Sequence, residues 1–159
     1  LINSLKNKFL REIKTKIIDQ LSSLIQEKIN AIQQSISLAE ESRNDATKSS
    51  VGDKHETSRA LVQNEIENYQ KILNKALLQQ NQLNNIPLEI SNKTIQLGSL
   101  VSTSDGIFFI GLGWGKISID EVIYFCVSVA SPIGKLLLGK EKNSTFYFSN
   151  RSITIKSIH

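Results

Sequence analysis

Apolar residues recur every three or four positions through the first part of the chain. Ile2, Leu5, Phe9, Ile13, Ile17, Leu21, Leu24, Ile25, Ile29, Ile32 and Ile36 form one stripe. At 3.6 residues per turn such a stripe marks a helix with one buried face, about ten turns long. The pattern breaks in the polar segment from Ser42 to Lys54 and then returns with Val62, Ile66, Tyr69, Leu73, Ala76, Leu77 and Leu83. Gln80 stands where another apolar side chain is expected. Two long amphipathic helices with one polar interruption predict an antiparallel coiled-coil hairpin, each helix burying its stripe against the other. Helices of about 30–40 residues make a rod of roughly 45–60 Å.

The interruption is rich in Ser, Asn, Asp and Gly, which favour turns and caps over helix interiors. Asp53 suits the cap of the second helix, with Glu56 three residues later as in a capping box. Ser49 or Ser50 suits it if the helix begins earlier.

The pattern changes near Asn84-Asn85-Ile86-Pro87. Beyond it the apolar residues come in short runs separated by turn formers. Gly98–Ser104, Ile107–Leu112, Glu121–Ala130, Phe146–Phe148 and Ile153–Ile158 read as strands. In the third, Ile123, Phe125, Val127 and Val129 alternate with Val122, Tyr124, Cys126 and Ser128. Both faces are mostly apolar, which predicts an inner strand. Ser131–Lys140 reads as one short helix, with Pro132 at its first position and Gly139 as its stop. The expected fold is therefore α+β: a helical hairpin over residues 1–86, its tip near 42–54, then a small antiparallel sheet domain with a short helix over 87–159.

Composition sharpens this division. Residues 1–86 hold one of the eight Gly and neither Pro; residues 87–159 hold the rest and the Trp. The 159 residues fit one or two small domains, and 40% hydrophobic with 21% charged residues fits a folded chain. A single Cys excludes an internal disulfide and a multi-cysteine metal site, and leads us to expect a reducing, cytoplasmic setting. No apolar run reaches the roughly 18 residues a membrane span needs, so no membrane association is expected. The net charge of +4 is concentrated: the first 18 residues carry five bases and one acid, and the other charges cancel. Between Glu40 and Glu56 five acids outnumber three bases. The predicted rod is thus basic at its base and acidic at its tip.

Gly52-Asp53-Lys54-His55-Glu56 is the segment with the most chemistry. If residues 53–56 form a first helical turn, both carboxylates lie on roughly one face. Two carboxylates alone hold Mg²⁺ weakly, because the ion prefers six oxygens and keeps its waters. Helix capping explains the same residues without any metal.

Gly-Asp-x-x-Glu at a hairpin tip resembles the Gre transcript-cleavage factors of bacterial RNA polymerase, whose tip typically reads Gly-Asp-Leu-x-Glu-Asn-Ala-Glu-Tyr. Ser131-Pro132-Ile133-Gly134-Lys135-Leu136-Leu137-Leu138-Gly139-Lys140 is similar to the Ser-Pro-Ile-Ala-x-x-Leu-Ile-Gly-Lys stretch of that family's FKBP-like domain, with Gly134 in place of the usual Ala. Gly98-Ser99-Leu100-Val101 resembles its Gly-Ser-x-Val strand. The resemblance spans both regions in order. It implies an FKBP-like second domain and a factor, not itself an enzyme, that binds RNA polymerase through its secondary channel. The rod would enter the channel, and the second domain would dock at the rim through Ser131, Pro132, Ile133 and Gly134. Asp53 and Glu56 would be the catalytic pair, sharing a Mg²⁺ with the polymerase active site while the polymerase cuts backtracked RNA by two-metal hydrolysis. Contact with the nascent RNA would be indirect.

This chain departs from the family after the tip Glu: Thr57-Ser58-Arg59-Ala60 replaces Asn-Ala-Glu-Tyr, so an acid becomes a base and an aromatic is lost. A non-cleaving regulator of the same channel therefore stands beside the cleavage factor. A prolyl isomerase or chaperone, suggested by the FKBP-like resemblance, and a plain coiled-coil interaction module are the alternatives from other classes.

The remaining residues read plainly. His55 suits an exposed helix start. His159, at the end of the sequence, is expected to be disordered. Cys126 suits a buried core thiol, and Trp114 and its neighbouring rings suit core packing. The basic residues of positions 1–18 suit a solvated helix face, with contact to nucleic acid by charge as the alternative.

Overall fold

The computed structural model describes residues 2–48, 52–90 and 93–159. Two long helices come first, α1 (Ile2–Lys48) and α2 (Asp53–Asn84). Six strands and one short helix follow: β1 (Leu100–Thr103), β2 (Gly106–Gly111), β3 (Gly115–Ile119), β4 (Val122–Ser128), α3 (Pro132–Leu137), β5 (Thr145–Phe148) and β6 (Arg151–Ile158). The α+β class read from the sequence is the class observed.

The chain forms two compact units, one of Ser22–Asn81 and the other of Leu1–Leu21 with Gln82–His159. The first is an antiparallel helix pair. Arg43 Nη1 donates to Gln63 Oε1 at 2.8 Å, and Gln80 Nε2 donates to Gln26 Oε1 at 3.0 Å, so residue numbers rise along one helix as they fall along the other. Ile25, Ile29, Ile32, Ile66 and Ala76 are buried along the seam. Gln80 thus keeps its place in the apolar stripe through a hydrogen bond to the facing helix. At 1.5 Å per residue the arms of this unit are about 40 Å long.

α1 runs to Lys48, six residues past Ser42, where polar side chains predict its interruption. Ser, Asn and Asp each cost only a few tenths of a kcal/mol in a helix that is already nucleated. Arg43 is tied to α2, which favours continuing the turn. The second helix begins with Asp53 as its first residue, so Gly52 holds the cap position expected of Asp53; the Gly52 carbonyl accepts from the His55 amide at 2.9 Å. The alternative caps Ser49 and Ser50 lie outside the described residues.

In the second unit the strand order is β3-β4-β2-β1-β6-β5. All neighbours are antiparallel except β2 and β4, which pair in parallel with Phe109 opposite Cys126. The predicted inner strand β4 lies between β2 and β3. β3 is not marked by the sequence pattern. Its two buried residues, Ile117 and Ile119, are too short an alternation to stand out. It joins β4 through a two-residue turn, Asp120-Glu121, with φ of 50° and 67°. Both values lie in the left-handed region; Asp120 is usual there, but Glu121 stands where Gly is the common signal, so the turn is poorly marked in the sequence.

One face of the sheet packs Val101, Phe108, Ile110, Phe146, Ile153 and Ile155 with Leu137 of α3. The other carries Leu100, Phe109, Tyr124 and Cys126, also buried. The first turns of α1 lie on that side, where Lys16 Nζ meets Asp120 Oδ2 of the β3–β4 turn at 2.7 Å. Burial pushes the Cys126 thiol up to about 12, so it is a core residue. Phe108 and Phe125 stack with centroids 5.2 Å apart. His159 is held in place: its backbone N–H donates to Leu100 O at 2.9 Å and its carbonyl accepts from Leu100 N at 2.7 Å. The expected disorder does not arise because those bonds extend the sheet by one residue.

Candidate functional site

The closed end of the helix pair brings the predicted tip residues into the first turn of α2. Gly52 is exposed with φ 143°, a value that L side chains rarely adopt. It lets the chain enter the helix, and an added Cβ would meet no neighbour there. Asp53 is the first residue of α2, and its side chain lies outside the described set. Glu56 is exposed and His55 half-buried. Residues three apart on a helix are neighbours, so positions 53 and 56 share a face, as do 56 and 59. Position 59 is Arg, also exposed. Arg43, Arg59, Ala60 and Gln63 border a shallow hollow about two to three turns along α2 from Gly52.

The family resemblance implies a Mg²⁺ at these residues. Glu56 is free to reach outward, but two carboxylates supply too few oxygens for a resident Mg²⁺. Among the described residues, no three His, Cys, Asp or Glu side chains converge as a metal site.

The second predicted locus, Ser131–Gly134, forms the start of α3. Ser131 is its N-cap: Oγ accepts from Gly134 N at 3.1 Å and donates to Ser128 O at 2.7 Å. Ile133 packs against the sheet core. Gly134 is buried, and a Cβ there would collide with the Ser128 carbonyl oxygen and come within 2.8 Å of Ser131 Oγ. The Gly that departs from the family pattern therefore lets α3 sit closer to the end of β4 than Ala allows. Pro132 is the exposed member of the four, and Leu136 and Leu138 extend its apolar surface at 38% and 46% exposure. Ser131, Ile133 and Gly134 shape the helix, while Pro132, Leu136 and Leu138 face outward.

One feature of the basic segment was hidden in the sequence. Lys14, read as part of a solvated face, is 3% exposed. Its Nζ donates to the Leu88 carbonyl at 3.3 Å, and burial lowers its pKa to about 8. The signal was faint: the 88–90 segment that covers it follows α2 by only a few residues and has no regular structure. Arg11, one turn earlier, pairs with Glu89 at 2.8 Å and stays exposed.

Comparison with known protein families, with curated proteins and with solved structures finds no match. Among the described residues no helix is long and apolar enough to cross a membrane.

Proposed function

We propose that this protein is a Gre-like transcription factor that binds RNA polymerase through its secondary channel and stimulates cleavage of backtracked RNA. The observation that carries this reading is the position of Gly52-Asp53-x-x-Glu56. It stands at the closed end of an antiparallel helix pair whose arms run about 40 Å. A narrow helix pair with carboxylates at its end suits delivery of those groups into a deep channel. Asp53 and Glu56 add oxygen ligands to a Mg²⁺ shared with the polymerase, which supplies the chemistry of phosphodiester hydrolysis. The outward apolar surface of Pro132, Leu136 and Leu138 suits docking on the polymerase rim, with Ser131, Ile133 and Gly134 setting its geometry.

The test uses halted elongation complexes with Mg²⁺. The intact protein is expected to shorten the nascent RNA from its 3′ end. Asp53→Asn and Glu56→Gln are expected to retain polymerase binding and lose shortening. No shortening by the intact protein, with binding retained, overturns the cleavage reading.

A second reading rests on Arg59. A cation three residues after Glu56 opposes metal binding at the same face, which favours a regulator that occupies the channel without promoting cleavage. That reading predicts altered initiation or pausing with no RNA shortening. Absence of polymerase capture by the immobilised protein removes both.

A further inference from the structure

The second unit contains a cleft of about 390 Å³ between residues 7–14 of α1, the segment 88–90 and His159. That volume falls within the range of small-molecule sites. Its walls mix apolar and charged side chains, with Glu89 the one acid among the lining residues. Leu10, Leu88 and Ile90 supply an apolar lining, and Lys8, Lys14 and His159 supply cationic or protonatable groups.

Lys14 is the unusual member. An ammonium has three N–H donors. Among the described residues Lys14 Nζ has one partner, the neutral Leu88 carbonyl, at a long 3.3 Å. Burying a charge is costly unless it is paired. Arg11 beside it is answered by Glu89, so the local acid is already engaged. At the His159 wall, burial first and then the charges of Lys6, Lys14 and Lys142 disfavour protonation of the imidazole. The cleft therefore combines an apolar wall, positive potential and a buried cation short of an anion.

We propose that this cleft binds a small organic anion, with its carboxylate or phosphate head on Lys14 beside His159 and its apolar body against Leu10, Leu88 and Ile90. The head would supply the missing acceptors and the body would displace water from the apolar wall. A purely inorganic anion leaves the wall wet, and a neutral apolar molecule leaves Lys14 unpaired. The proposal does not depend on any interaction with RNA polymerase.

Four probes decide it: octanoate, octyl phosphate, 1-octanol and acetate, each titrated calorimetrically into the full chain at pH 7. One or both of the octyl anions is expected to bind at one site, at least about tenfold tighter than octanol or acetate. The tighter of the two anions distinguishes a carboxylate from a phosphate ester as the natural head group. Amide resonances of residues 7–14 and 88–90 are expected to shift on binding. Lys14→Met is expected to weaken the anion about tenfold while its thermal midpoint stays equal or rises, separating loss of the site from loss of the fold. Should that variant fail to fold, Lys8→Gln, at an exposed wall position, is expected to weaken binding about threefold. Octanol binding as tightly as the anions, an undiminished affinity in Lys14→Met, or shifts confined to other residues overturns the proposal. So does the absence of binding by either anion.

Discussion

At the scale of single residues, Lys14 and Gly134 depend most on their surroundings. Lys14 lies between Ile13 and Ile17, and its position in the sequence gives no sign that Leu88 closes over it. Its ammonium is nonetheless buried, and its pKa falls from 10.5 to about 8. Below pH 8 folded and unfolded chains both carry the proton, and the full penalty for burying the charge is present. Between about pH 8 and 10.5 the folded chain has released the proton and the unfolded chain still holds it, so stability contributed at this site rises with pH. Above that window both are neutral and the penalty is gone. Lys14→Met removes the charge while filling similar space. It is expected to raise the thermal midpoint at pH 7 by roughly 2–6 °C, as for a gain of about 1–2 kcal/mol. The advantage over the unaltered chain should shrink from pH 8 to 10.5; a constant advantage by calorimetry overturns the assignment. Gly134 makes the opposite case, in which the smallest change adds too much. Gly134→Ala drives a methyl group into the Ser128 carbonyl and is expected to cost about 1–3 kcal/mol, read from the urea midpoint.

At the scale of elements, legibility followed period and punctuation. The helices announced themselves because stripes such as Ile13 to Ile32 repeat for many turns, and five of the strands because turn formers bracket them. The helix end was harder. Ser42 to Lys48 has weak propensity, but the bond between Arg43 and Gln63, formed only once the helices pair, favours the helix there. β3 escaped because its turn puts Glu121, where Gly is the usual mark, in the left-handed region. That turn is also a place where stability can be added. Glu121 is exposed, and its φ of 67° places it in the left-handed region. Glu121→Gly removes the Cβ crowding at this position and is expected to stabilise the sheet unit by about 0.5–1 kcal/mol, leaving the Lys16–Asp120 bridge intact. An unchanged or lower urea midpoint contradicts that account. Within the helix pair, Ile66→Ala empties a side chain that is 2% exposed. It is expected to cost about 2–4 kcal/mol, followed by circular dichroism at 222 nm during urea unfolding.

At the scale of the whole molecule, what could be read of the candidate site was its place and not its strength. Gly52-Asp53-x-x-Glu56 could be assigned to the hairpin's closed end because two periodic segments flank one interruption. Charge balance at that end depends on which side chains become neighbours, and the helix sets this at Arg59. Residues 56 and 59 are one turn apart, with Cβ atoms about 5–6 Å from each other. A unit charge at that distance in water is worth about 0.7 kcal/mol, and reversing its sign about twice that. If the proposed function is right, Arg59→Glu turns an opposing charge into a supporting one at the ion the tip shares with the polymerase. The Mg²⁺ concentration for half-maximal RNA shortening is then expected to fall by about fivefold to tenfold. Arg59→Gln is expected to produce roughly the square root of that change, since it removes the cation without adding an anion. Polymerase affinity measured without Mg²⁺ should hold steady across the three proteins, because the substitution acts on the ion and not on docking. Equal Mg²⁺ dependence in all three would mean that the face of α2 carrying Glu56 does not meet the metal. The non-cleaving regulator would then be the better account of a helix pair that ends in Asp53 and Glu56 yet carries an arginine beside them.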